Sequence, residues 1–395
     1  MQYERLRPYA TARQAELLDA LSSGGTVRQA ASIIGISERN AFELLRRLRK
    51  AAAARGYAPE NDMVNPVPEG FVVSGVSTYY DDEGHPTGQW VKSKLKEEHR
   101  LTELREAIAD AVEEYKGKAK SIKPPARKKV DDDIVLAIPI GDPHIGMYAW
   151  AEETGEDFDL NIARDDLLSA AHNLLSVAPT ASKCLIINLG DFFHSDNMSN
   201  TTSRSGHSLD VDSRWSKVLK LGCMVMVDMI IMALKRYPEV EVINAIGNHD
   251  DHSSVMLAAF LDAYFSNEPR VTIQPTVSKF HYFHFGKCLI GVTHGDTVKH
   301  ADLGELMAAD RPEDWGATEH RYWYVGHIHH SRKMELRGCT IESFRTLAAK
   351  DAWHSAKGYR SGRDMNAVVL HRDFGEIARY RCDIRMARSG AQKDD

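Results

Sequence analysis

Five short apolar runs, each stopped by a glycine or threonine and then by a histidine, aspartate or asparagine, constrain this chain more than any other feature. The runs Ile134–Ile140, Cys184–Leu189, Val240–Ile246, Cys288–Val292 and Tyr322–Val325 have the length and residue types of strands. They lead into Gly-Asp142-Pro-His144, Gly-Asp191-Phe-Phe-His194, Gly-Asn248-His249-Asp250, Thr-His294-Gly-Asp296 and Gly-His327-Ile-His329. Helical patterns lie between several of the runs, so the architecture reads as α/β. The carboxyl ends of strands in such a sheet form the ligand crevice, and five separated segments can therefore converge on one site.

At 395 residues the chain exceeds what one core usually serves, and two or three domains are expected. A hydrophobic content of 43% and a charged content of 27% match an ordinary globular protein and exclude a disordered or fibrous one. The cysteines at 184, 223, 288, 339 and 382 never form a Cys-x-x-Cys pair, which suits a reducing compartment. No basic stretch followed by an apolar segment opens the sequence, and the longest apolar run, 221–234, contains Asp228. A cytoplasmic protein without a membrane span is the expectation. The net charge of −6 is uneven: residues 1–130 hold 22 Lys and Arg against 18 Asp and Glu, the remainder 28 against 38. A basic first part can meet nucleic acid, and an acidic second part can hold cations.

Residues 1–57 read as three short helices. Leu17, Leu18 and Leu21 stripe the first, Thr26 caps a second over Val27–Ile34, Gly35 supplies the turn, and Ser37 caps the third. Ala41, Leu44, Leu45 and Leu48 fall on one face of that third helix, leaving Arg39, Asn40, Glu43, Arg46, Arg47 and Lys50 mostly outward. The run Ala31-Ser-Ile-Ile-Gly35-Ile36-Ser37 resembles a helix-turn-helix, which implies DNA as a partner through Arg39, Asn40, Arg46, Arg47 and Lys50. A three-helix module that binds protein is the alternative. Residues 58–116 read as a β-hairpin between Phe71 and Val91 and an amphipathic helix carrying Leu101, Leu104, Ile108 and Val112, a face for packing or for a second copy of the chain. Residues 117–131, charged and with a Pro pair, read as a linker. Residues 132–386 would form the catalytic domain and 387–395 a tail. Trp215–Leu234, apolar nearly all round, should be a helix buried against the sheet.

Residues i and i+2 of an extended segment project to the same side, so Asp142 with His144 and His327 with His329 form pairs able to grip a metal. Mixed carboxylate, imidazole and amide donors favour manganese, iron or zinc over calcium. Two ions about 3.5–4 Å apart would activate a hydroxide and clamp a phosphoryl group.

The ordered set resembles the calcineurin-like metallophosphoesterases, whose motifs run D-x-H, G-D, G-N-H-[DE], H and G-H-x-H; the likeness spans residues 134–330. It implies a β-sandwich flanked by helices, with one ion on Asp142, His144, Asp191 and His329 and a second on Asp191, Asn248, His294 and His327. Manganese is the first choice, with iron, zinc and magnesium as alternatives. The bridging hydroxide would attack phosphorus in line, His249 would assist the leaving oxygen, Asp250 would fix the His249 ring, and Asp296 would support the ligands. Gly190-Asp191-Phe192-Phe193-His194 is similar to the motif of the SbcD-type nuclease branch, where the motif histidine assists catalysis, so His194 joins the catalytic set. His330, His281, His284 and His354 lack motif spacing and read as bystanders. Arg204, in the polar stretch 197–208, reads equally as a phosphate contact or an ordinary loop residue.

A DNA-cutting phosphodiesterase leads on these observations. The fusion is similar to proteins encoded by tailed phages, and homo-oligomers are compatible with it. No coiled-coil or DNA-capping segment follows the motifs, which argues against processive exonuclease action. A phosphatase or phosphodiesterase for nucleotides and other small phosphoesters, and a DNA-binding regulator with a vestigial metal site, are the alternatives.

Overall fold

A computed structural model describes residues 4–22, 25–59, 63, 66–67, 71–80, 86–95, 115–126, 130–197, 200–201, 209–276 and 278–391. The chain divides into two compact units, Met1–Ala107 and Ile108–Asp395.

In the first unit a short 3-10 helix, Glu4–Tyr9, precedes three α-helices, α1 (Ala12–Ser22), α2 (Val27–Ile33) and α3 (Glu38–Ala54). Thr26 caps α2 in a reciprocal box with Gln29, and the Ser37 side chain accepts from Asn40 N at the start of α3. Gly35 sits at φ +70°, a left-handed turn in which a side chain would be strained. Leu17, Leu18, Ala31, Ala41, Leu45 and Leu48 share one small core, while Leu44 is only partly buried at its edge. Strands β1 (Phe71–Tyr80) and β2 (Pro86–Leu95) pair antiparallel as the expected hairpin. The amphipathic helix expected around Leu101–Val112 lies outside the described residues.

The second unit is an α/β sandwich. One six-stranded sheet runs in the order β13 (Gly375–Asp383), β12 (Asp364–His371), β3 (Asp131–Ile140), β4 (Ala181–Asn188), β5 (Glu239–Asn244) and β6 (Val271–Ile273), and a five-stranded sheet in the order β10 (Arg332–Leu336), β11 (Cys339–Ser343), β9 (His320–Val325), β8 (Cys288–Thr293) and β7 (His281–Phe285). The strands that matter for the site are β3 (Asp131–Ile140), β4 (Ala181–Asn188), β5 (Glu239–Asn244), β8 (Cys288–Thr293) and β9 (His320–Val325). β3, β4 and β5 are mutually parallel, as are β8 and β9, so their carboxyl ends share an edge within each sheet.

Period-two alternation explains the layers. Leu136, Ile138 and Ile140 of β3 face the helices Leu160–Val177 and Trp215–Leu234, whereas Val135 and Ala137 face the second sheet beside Ile290, Val292 and Tyr324. Each such side chain contributes about 1.5–3 kcal/mol on full burial, and β3 and β4 collect it on both faces. They are therefore central. On the far side of the second sheet Leu289, Trp323 and Ile341 pack on Leu303 and Met307 of the helix Leu303–Asp310, completing a sandwich flanked by helices on both outer faces.

The segment expected to be a free tether is partly laid onto this unit. Ala119 is buried, the amides of Gly117 and Ala119 donate to Ala263 O and Tyr264 O, and Asn267 and Arg270 donate to the carbonyls of Gly117, Ala119 and Ile122. Small and apolar residues inside the charged run make this docking possible. At the other end the helix Ile384–Ala391 passes the expected boundary at 386, with Ala387 buried and Arg388 donating twice to Asp166 at 2.8 Å.

Asp166 is itself buried and also accepts from the buried Arg363 at 3.1 Å. Asp166→Ala is expected to lower stability by about 2–3 kcal/mol in denaturant titration, because it strips a buried guanidinium of a partner and undocks the last helix. A loss within about 0.5 kcal/mol would contradict this account of the C-terminal packing. Among the described residues, no helix is long and apolar enough to cross a membrane.

Candidate functional site

The five motifs meet beyond the carboxyl ends of β3, β4, β5, β8 and β9. Three donor atoms gather around His294 Nε2: Asn248 Oδ1 at 3.0 Å, Asp191 Oδ2 at 3.2 Å and His327 Nδ1 at 3.2 Å. A second group joins Asp142, His144 and His329, with the two Nε2 atoms 3.1 Å apart and His329 Nε2 3.8 Å from Asp142 Oδ1. Donors about 2.0–2.2 Å from a divalent ion stand roughly 3.0–3.4 Å from one another, a range that holds every one of these separations except the 3.8 Å between His329 and Asp142. The residues present fit two metal ions.

The backbone gives an independent sign. Asp142, His144, Asp191, His327 and His329 all adopt left-handed conformations, with φ from 44° to 68°. Such residues cost about 1–3 kcal/mol each and persist where the surroundings hold them for function. This corrects the sequence reading, in which Asp142/His144 and His327/His329 lay on extended strands: the pairs form in the turns just past the strand ends, where a left-handed residue turns its side chain into the crevice. Two glycines make the turns possible. A Cβ on Gly190, at φ +94°, would lie 2.8 Å from His294 Nδ1, and one on Gly247 would collide with the Asp191 carboxylate.

Electrostatics divide the site. Burial pushes the imidazoles of His144, His194 and His329 down, the last two to about 3, so they are neutral and present lone pairs. Burial, and the neighbouring Asp191 against the pull of His294, raise Asp142 to about 7. His294 goes the other way: burial acts to lower it, but Asp191 and Asp142 lift it to about 10. Its Nδ1 faces Leu189 O at 2.9 Å, so that nitrogen carries the fixed proton and Nε2 carries the one a cation would displace. The Asp191 carboxylate interacts with both groups, acting on Asp142, His144 and His329 as well as on His294.

Around the ligands stand residues with other tasks. His249 donates its backbone amide to Asp191 Oδ1 at 2.8 Å, and its Nδ1 lies 2.9 Å from His194 O, so Nδ1 donates there and Nε2 is left for other contacts. His194 lies beside both, its Nδ1 3.2 Å from His144 Nδ1 and its ring stacked on His249 at 5.5 Å. Its Nε2 is buried and has no hydrogen-bond partner among the described residues.

Asp250 does not fix the His249 ring, contrary to the sequence reading. Its carboxylate accepts the amides of Asp191, Phe192, Phe193 and Gly247 at 2.8–3.2 Å, holding two motif turns together, while the His194 carbonyl orients His249. Burial, with Asp191 nearby, raises Asp250 to about 7. Burial lowers the His327 imidazole, against which the charge of Asp296 acts, and the covered Asp296 side chain has Lys279 Nζ at 3.6 Å.

The chain is similar to several solved structures. They include a conserved protein from Streptococcus pneumoniae described as a predicted phosphoesterase (10% identity over 63% of this chain and 98% of that one, TM-score 0.27). They also include Vps29 from Entamoeba histolytica complexed with zinc (12%, 63% and 99%, 0.25) and a 5′-nucleotidase precursor from Thermus thermophilus (13%, 66% and 58%, 0.30). No protein-family model matches the chain, and no curated protein matches it.

Of the histidines set aside, His281 is buried in a strand, His284 faces Asp314 at 2.9 Å, and His330 bonds back to Ile328 O. His354 is different: its ring stacks on His329 with centroids 4.8 Å apart, and Asp351 Oδ1 lies 2.7 Å from its Nδ1. No motif spacing signals it, because the contact arises only when the segment after β11 (Cys339–Ser343) folds back over the site. Arg204 lies outside the described residues. On α3, Arg39, Asn40, Arg46, Arg47 and Lys50 are all exposed, but Arg46 and Arg47 each donate to Glu43 at 2.8 Å. A DNA phosphate has to compete with that carboxylate.

Proposed function

We propose that this protein is a dinuclear metal-dependent phosphodiesterase that hydrolyses DNA. The observation that supports it most is the convergence of Asp142, His144, Asp191, Asn248, His294, His327 and His329 from five strand ends with separations suited to two ions. Asp142, His144 and His329 would hold one ion, Asn248, His294 and His327 the other, with Asp191 between them. Bound there, divalent ions supply Lewis acidity toward phosphoryl oxygens and a water acidified toward neutral pH, with manganese the first choice. The chain's own contribution is proton placement: His249, fixed through Nδ1, can deliver a proton from Nε2 to the leaving oxygen, while neutral His194 keeps that ring in place. Asp250 acts on the backbone, keeping the turn that carries Asp191 in register.

The DNA reading draws on the first unit, where an exposed helix face carries Arg39, Asn40 and Lys50. Arg39→Ala and Lys50→Ala are each expected to weaken duplex binding and to make the plot of log affinity against log salt shallower by roughly 1. An unchanged slope in both would remove the three helices from DNA recognition. The charge of the second part, with 28 basic against 38 acidic residues after position 130, favours a second reading in which the substrate is a nucleotide or another small phosphoester. Cleavage of circular single-stranded and linear double-stranded DNA with added Mn²⁺, beside His249→Ala, decides between them. Cutting by the wild type alone supports the nuclease, and cutting of circles makes it an endonuclease. Hydrolysis of bis-p-nitrophenyl phosphate without any cutting would overturn the DNA reading.

A further inference from the structure

One wall of the metal centre comes from a segment that the five motifs do not contain. Asp351 caps the short helix Ala352–Ala356 through His354 N and also holds the His354 ring, which lies on His329 at an interplanar angle of 22°. From that ring an aromatic surface runs outward. Trp353 and Tyr359 both stand edge-on to His354 with centroids 5.0 Å away, and Trp353 lies 6.0 Å from Tyr359. Trp353 is 57% exposed, and Lys357 Nζ lies 6.0 Å from its ring centre. Lys350, Tyr359 and Ser361 line a cleft that ends on His329.

An indole this open to water is unusual for a residue with so large an apolar face. It touches the partly buried rings of His354 and Tyr359 and still leaves most of its surface in water. Its place does suggest a role. A nucleotide carries its base one sugar beyond its phosphate, so a phosphate held at the metal centre puts the base over an adjoining wall, and a flat aromatic face flanked by a cation is what stacks a base regardless of its identity.

We propose that Trp353 is a nucleobase platform, on which the base next to the reacting phosphate stacks while Lys350 and Lys357 face the backbone. The proposal rests on the phosphoesterase reading of the metal centre and adds a substrate class to it: nucleotides and nucleic acids over phosphoesters without a base. His354 and Asp351 are positioning residues that anchor the platform to His329.

The test compares equilibrium binding of dTMP and of deoxyribose 5-phosphate by the Mn²⁺-loaded full chain, in a His249→Ala background that suppresses turnover. The account expects dTMP to bind about 10-fold or more tighter than the sugar phosphate. Trp353→Ala should remove that preference without changing sugar-phosphate affinity, and Trp353→Phe should restore most of it. Equal loss for both ligands, an unaltered preference in Trp353→Ala, or no preference in the starting protein would each overturn the platform. Hydrolysis by the wild type, measured separately, judges the phosphoesterase reading, so the two can fail independently.

Discussion

Replacing Asp191 with asparagine is expected to lower the rate on any phosphodiester by about 10³-fold or more and to reduce bound metal below two ions per chain. Asp191 is the carboxylate whose charge reaches both donor groups, and its Oδ2 stands 3.2 Å from His294 Nε2. Asparagine keeps the Oδ1 acceptor for His249 N, so the turn should stay folded while the charge is lost. Metal analysis by mass spectrometry, circular dichroism and a rate measurement separate these effects. Two ions per chain and an unimpaired rate in Asp191→Asn would show that this carboxylate does not join the two groups.

His249→Ala is expected to behave differently. The ring is not needed to hold Asp191, because the backbone amide makes that bond. Metal content should therefore stay at the wild-type value while turnover on DNA falls about 10²- to 10⁴-fold. A proton donor matters most when the leaving oxygen is a poor one, so the loss on bis-p-nitrophenyl phosphate should be much smaller than on DNA. Equal losses on both substrates would contradict proton delivery and assign His249 to holding phosphoryl charge instead.

The convergence of the motif residues was legible in the sequence because each follows the end of a strand, and the parallel strands β3, β4 and β5 of one sheet and β8 and β9 of the other bring those ends to a shared edge. The short apolar run Ile134–Ile140 was likewise legible as a strand, and Thr26, Gly35 and Ser37 announced the first unit's helix boundaries through local chemistry alone. The conformation of the ligands was not legible. Nothing in Asp142-Pro-His144 distinguishes an extended pair from a left-handed one, since the contacts around it come from distant segments, with Gly326 packed against the Asp142 carboxylate and Thr346 donating to the Asp142 carbonyl.

Roles set by long-range contact were equally hidden. Asp250 follows His249 directly, which suggested that it holds that ring, yet its carboxylate reaches amides some 58 residues earlier in the chain. Asp351, Trp353 and His354 carry no spacing signal at all, because the loop that brings them beside His329 is long and its path is decided by packing. The docking of residues 117–122 was missed for the opposite reason: charge dominated the composition there, while Ala119 and the backbone carbonyls did the binding.

The central claim is that two metal ions make this site a phosphodiesterase. Its most direct test is the rate of bis-p-nitrophenyl phosphate hydrolysis by chelator-stripped protein as Mn²⁺ is titrated back. The account predicts no activity after stripping and a rise that saturates at two equivalents per chain. Activity that survives the chelator, or protein that takes up no divalent ion while remaining folded, would contradict it.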